Sequence, residues 1–178
     1  SNDGKVLPRF VLPSRARVKV AITATKVDSD NVIGVLRGTD PALRNDYVAI
    51  SAHLDHLGVG EPTNGDNIYN GAMDNASGIA TLIETAAAAA ARGGFKRSIV
   101  FAAVTAEEKG LIGSEYYSLN PLYPLEKTVA AINVDGINQW GRTKDISVIG
   151  LGASDLDDYL RQAAQEQGRT LTPDPEPE

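Results

Sequence analysis

The sequence predicts an α/β fold organised on a mainly parallel sheet, and three observations carry that reading. Ile99 to Val104 (IVFAAV) is an unbroken apolar run, rich in β-branched residues and too short for a buried helix, as expected of a strand covered on both faces. Tyr47 to Ala52 (YVAISA) and Val129 to Val134 (VAAINV) are short apolar segments of the same kind, and helix-forming stretches separate the three. Each run then ends on side chains able to bind a cation: His53, the pair Glu107 and Glu108, and Asp135. Open α/β sheets collect their ligands along the carboxyl ends of their strands, so the pattern places chemistry on one rim.

Taken in order, Arg17 to Val27 alternates apolar with polar or small residues and reads as a half-exposed strand. Asp28-Ser29-Asp30-Asn31 supplies turn residues and Val32 to Leu36 returns, which predicts an edge hairpin within an N-terminal segment of residues 1–38. Residues 57–76 are rich in glycine and asparagine without periodicity and read as a long functional loop. From Ser77 to Arg92 the alanine-rich sequence is a strong helix former stopped by Gly93-Gly94, with Asp74 and Asn75 where an N-cap belongs. A second helix is expected from Lys109 to about Ser118, closed by Asn120-Pro121. Ile146 to Ile149 reads as a further strand and Ser154 to Gln167 as an amphipathic helix capped by Ser154 or Asp155. The prolines at 173, 175 and 177 predict an irregular tail over residues 168–178. No repeat or linker divides residues 1–178, so one domain is expected.

Composition narrows the function classes. With 42% hydrophobic and 22% charged residues the chain is ordinary globular protein. A net charge of -6 lacks the clustered Lys and Arg of a nucleic-acid footprint. No apolar run approaches the roughly 20 residues of a membrane-spanning helix, and no signal-like apolar segment stands at the N-terminus. There is no cysteine, so any metal must be held by histidine and carboxylate.

Individually the site residues have ordinary explanations. A lone histidine is as often a satisfied core residue as a ligand, Asp74 could simply cap its helix, and a Glu-Glu pair is usually a solvated helix start. Asp55 shares a strand face with His53 and can accept its second ring N–H, which changes the odds for His53. His56 reads as a loop residue or as a support for a ligand, with direct contact to metal the less favoured alternative. Together, one histidine and four carboxylates converging on a rim constitute metal chemistry. Two adjacent like charges such as Glu107 and Glu108 call for a cation between or beside them.

Four ordered segments carry a family resemblance: Ser51-Ala-His-Leu-Asp-His56, Gly71-Ala-Met-Asp-Asn-Ala-Ser-Gly78, Ala103-Val-Thr-Ala-Glu-Glu-Lys-Gly-Leu-Ile-Gly-Ser114 and Ile132-Asn-Val-Asp135. Over residues 31–160 the chain resembles the di-zinc metallo-aminopeptidases of clan MH, of the bacterial leucyl aminopeptidase type. The resemblance implies a three-layer α/β sandwich with a mixed, mainly parallel central sheet of the phosphorylase/hydrolase kind. It implies that His53 and Asp135 hold one zinc, that Glu108 helps hold a second, and that Asp74 bridges the two. Asp55 would orient His53, and Glu107 would be the general base acting on a metal-bridging water in the hydrolysis of a peptide substrate. The resemblance is to proteins that are often exported, with the location itself left open, and the charge and hydropathy above lead to no expected nucleic-acid or membrane partner.

The family pattern completes the second zinc with a histidine well after the position of Asp135, whereas the chain has only His53 and His56. The expectation is therefore a catalytic domain truncated at its C-terminus, with two zinc ions in the intact enzyme and one or none here, and with little or no activity of its own. An incomplete sheet would leave an edge through which copies associate. The alternatives are a single-zinc acyltransferase or cyclase on the same fold, and a non-catalytic binding homologue. Retention of Glu107, Asp74, His53 and Asp135 weighs against both.

Overall fold

A computed structural model describes residues 15–174. Its centre is β5 (Ser98–Val104), buried at every position except Ala103, which is partly buried. β2 (Tyr47–His53) lies parallel to β5 and also parallel to β6 (Thr128–Asn133), while β1 (Val32–Leu36) runs antiparallel to β5. The sheet order is β1-β5-β2-β6, a mixed α/β sheet with parallel central pairs, as the apolar runs predict.

The β2–β5 register sets which side chains share a face. Tyr47 is opposite Ser98 and His53 opposite Val104, so alternate residues of the two strands point together. One face carries Ile50, Ala52, Ile99, Phe101 and Ala103, which pack with Leu36 of β1 and with Ile79, Leu82, Ala86 and Ala89 of α1 (Ser77–Arg92). The helix presents these residues at i, i+3, i+7 and i+10, a single stripe. Gly93 ends it at φ 60, a conformation that glycine adopts without steric cost. The opposite face carries Tyr47, Ser98, Val100, Ala102 and Val104, and the Tyr47 ring meets Tyr123 at a centroid distance of 4.9 Å. His53 belongs to this second face.

Several expectations need correction. Residues 15–31 contain no strand, so the predicted hairpin of Arg17–Val27 with Val32–Leu36 does not form; β1 takes β5 as its partner instead. Val18, Val20 and Ile22 are 71–86% exposed, and a strand with neither a covered face nor a neighbour has little to hold it. Only the end of this arm is tied down. The Ser29 hydroxyl is 2.6 Å from that of Thr105, and Asn31 accepts from the Thr105 amide and donates to the Gly113 carbonyl.

The stretch 57–76 is not structureless. β3 (Gly58–Thr63) and β4 (Asp66–Tyr69) pair antiparallel around Asn64-Gly65, both with positive φ. That dipeptide is a strong hairpin signal, masked here because both strands are almost wholly exposed and carry no alternating pattern.

The expected irregular tail also begins too early. β7 (Asp145–Val148), α3 (Leu156–Glu166) and β8 (Thr170–Pro173) form a parallel β-α-β unit. Pro173 sits at the last position of β8, in a two-stranded sheet where its missing N–H breaks no ladder on a further neighbour. Residues 175–178 lie outside the described part. The helix expected from Lys109 is a 3-10 turn, Glu107–Lys109, followed by α2 (Ile112–Leu119).

Candidate metal centre

The parallel arrangement of β2, β5 and β6 brings their carboxyl ends together, and α1 contributes from its N-terminal side. Immediately before α1 a π-helical turn, Ala72–Ala76, departs from helical geometry at Asp74 and Asn75, and the peptide between these two is cis. Ala76 is the N-cap of α1, and Asn75, not Asp74, bonds its first turn: Oδ1 accepts from the Gly78 amide at 2.9 Å. Asp74 is thereby left to face the rim.

The His53 ring is 2% exposed and has two different neighbourhoods. Nδ1 lies 2.9 Å from the backbone carbonyl of Asp55. A carbonyl oxygen can only accept, so Nδ1 carries the proton and the neutral ring presents the Nε2 lone pair to the rim. There Nε2 meets Asp74 Oδ1 at 3.0 Å, Asp135 Oδ1 at 3.2 Å and Glu107 Oε2 at 4.0 Å. A lone pair facing this many carboxylate oxygens is repulsive unless a cation lies among them. On a tetrahedral zinc with bonds near 2.0 Å, ligand atoms are about 3.3 Å apart, so the two shorter separations fit such an ion. Without a metal, a proton serves instead. Burial pulls the His53 pKa down, but the Asp135 hydrogen bond, the Asp55 carbonyl and the charges of Asp135 and Glu107 outweigh it and hold the pKa above its ordinary value.

A second group stands beside the first. His56 Nδ1 is 2.7 Å from Glu108 Oε1 and 3.8 Å from Asp74 Oδ2. The two oxygens of Asp74 thus face different histidines. His53, Asp74 and Asp135 form one set able to hold a metal ion, and His56, Asp74 and Glu108 form another. Glu107 belongs to neither.

The structure brings together every residue singled out from the sequence, although Asp55 acts differently from expectation. Its backbone orients His53, whereas its carboxylate, 3.8 Å from His53 Nδ1, accepts from the amides of Glu107 at 3.1 Å and Glu108 at 3.4 Å. The side chain thus positions the glutamate turn. Asp55→Ala should leave these two amides without their acceptor and destabilise the chain by about 1–3 kcal/mol, read by urea denaturation.

Asn75 does more than its place beside the helix start suggests. It is 2% exposed, donates to the Val134 carbonyl and accepts from the Gly136 amide, which grips the chain on both sides of Asp135. One amide therefore ties Asp74 to Asp135. A side chain on Gly78 would collide with it, since a Cβ there would meet Asn75 Oδ1 at 2.2 Å. Asn75→Ala should destabilise the chain by about 1–3 kcal/mol for each backbone group left unpaired, read by urea denaturation.

A mixed α/β sheet with imidazole and carboxylates gathered at the ends of its parallel strands defines an α/β protein with a centre suited to zinc. Residues 31–178 match peptidase family M28, and the chain belongs to that family. It is 35% identical over 136 residues to the aminopeptidase NAALADL1 of Mus musculus, covering 72% of this chain and 16% of that protein. Among solved structures it resembles BSAP, a zinc aminopeptidase from Bacillus subtilis, with a TM-score of 0.63 and 27% identity over 80% of this chain and 34% of that one. It also shares the fold of a glutaminyl cyclase from Bacteroides thetaiotaomicron, with a TM-score of 0.57 and 20% identity over 80% of this chain and 56% of the cyclase. The chain thus spans about one sixth of the mouse aminopeptidase and one third of the Bacillus enzyme.

Proposed function

We propose that this chain carries the catalytic centre of a zinc-dependent exopeptidase, an aminopeptidase acting on peptide substrates. The observation that carries the reading is the His53 ring, whose Nδ1 is committed to a carbonyl while Nε2 faces Asp74 and Asp135 at 3.0 and 3.2 Å. His53, Asp74 and Asp135 would hold one zinc; Asp74, through its other oxygen, and Glu108 would hold a second. Zinc, when bound, supplies the Lewis acidity that brings the pKa of a water to about 7 and polarises the scissile carbonyl.

The chain's own residues divide the remaining work. Glu107 is the general base: it is partly exposed at the rim and outside both metal-holding groups, free to take a proton from the attacking water and return it to the departing amine. Asp55 holds the amide of Glu107 and so fixes where that carboxylate starts. Asp74 places the two groups at a fixed separation, and Asn75 fixes Asp74 against Asp135. The presence of a second group containing Glu108 favours two ions over the single-zinc chemistry of an acyltransferase or cyclase.

The test uses the protein that bears this chain, assayed on aminoacyl chromogenic amides. Hydrolysis should disappear with a chelator and return with zinc. Hydrolysis that survives complete removal of metal would contradict the proposal.

A further inference from the structure

We propose that His56 is a metal ligand, binding the second ion through Nδ1 together with Glu108 and Asp74. The inference rests on the zinc reading above and extends it to a residue for which the sequence alone favours a loop or supporting role.

Three observations carry it. First, His56 Nδ1 and Glu108 Oε1 are both buried, lie 2.7 Å apart, and neither makes a hydrogen bond. With the ring neutral, these two buried acceptors face each other unpaired and each bears a desolvation cost; a protonated ring would instead form an ion pair with Glu108. A shared cation removes that cost for both. Second, the third atom of the group is the Asp74 oxygen that His53 does not use, at 3.8 Å. Separations of 2.7 and 3.8 Å lie on either side of the roughly 3.3 Å expected between ligands on a tetrahedral zinc, so small side-chain rotations suffice. Third, the side chain packs closely against Gly71. Gly71, at φ 64, approaches so closely that a Cβ on it would meet His56 Cβ at 2.6 Å and Cγ at 2.9 Å. His56 also lines a cavity of about 330 Å³ with Gly58 and Tyr69 of the β3–β4 hairpin, and with Asn70 and Gly71. A preset imidazole of this kind is a prepared ligand.

The tautomers distinguish the two histidines. His53 would bind through Nε2, because Nδ1 is bonded to the Asp55 carbonyl, whereas His56 would bind through Nδ1. The chain has two histidines in total, so their ring nitrogens can be followed without ambiguity in a ¹⁵N-labelled sample.

The experiment titrates the metal-free chain with zinc while recording ring ¹⁵N shifts and bound-metal stoichiometry, for the wild type, His53→Ala and His56→Ala. Circular dichroism of each metal-free variant establishes that it is folded. The expected result is two ions in the wild type, with metal-induced shifts at His53 Nε2 and His56 Nδ1. His56→Ala should lose the second ion, by more than about 100-fold in affinity, and keep the first; a residue that merely orients a ligand would cost 10- to 100-fold at most. If His56 Nδ1 does not respond to zinc, or His56→Ala binds both ions as the wild type does, the inference is overturned while the His53 centre stands. If the wild type binds no ion, the zinc reading falls and this inference with it.

Discussion

Glu107→Gln should lower turnover by roughly 10²- to 10⁴-fold while leaving zinc content unchanged. The reason is positional. Glu107 and Glu108 are adjacent in one 3-10 turn, their amides held by the two oxygens of Asp55, yet their carboxylates go to different places. Glu108 reaches His56 and joins a metal-holding group, while Glu107 stands 4.0 Å from His53 Nε2 and joins none. Glutamine preserves the size and polarity of the side chain but cannot accept the proton. Parallel zinc analysis and kinetics check this, and hydrolysis within a few-fold of wild type would remove Glu107 from the role of base.

Asp74→Ala is expected to have the larger structural consequence at the centre. Its Oδ1 faces His53 and its Oδ2 faces His56, so one substitution takes an oxygen from both groups. Zinc retained after dialysis should fall for both positions, and activity should fall to background. His53→Ala, by contrast, should empty only the position shared with Asp135. Inductively coupled plasma measurement of zinc per chain separates the two outcomes; equal, partial losses in both variants would mean that Asp74 does not serve two ions.

Much of the centre was legible because its parts sit at the ends of strands that announce themselves. β5 and β2 are apolar runs ended by chemistry-bearing side chains, and their parallel pairing follows from the helix between them. Where the sequence misled, the missing information was tertiary. The hydrophobic alternation of Arg17–Val27 is strand-like, but a pattern cannot supply the neighbour that a strand needs. The β3–β4 hairpin rests on a turn and on backbone pairing with almost no burial, so no periodicity reveals it. Asp55 and His53 do lie near each other, yet which of Asp55's groups contacts the ring depends on where the Glu107 amide falls. His56 reads from the sequence as a loop or supporting residue, because only the fold sets Gly71 against it and Glu108 2.7 Å from its ring. Asn75 could be foreseen as a helix cap from its distance to Ser77, but its hold on Val134 and Gly136 spans some 60 residues of chain.

Whether His53, Asp74 and Asp135 hold zinc is read from a zinc-edge anomalous difference map of crystals grown with zinc. A peak is expected about 2.0–2.2 Å from His53 Nε2 and from a carboxylate oxygen of each aspartate. Well-ordered side chains at these three residues with no peak between them, and zinc bound only elsewhere, would contradict it.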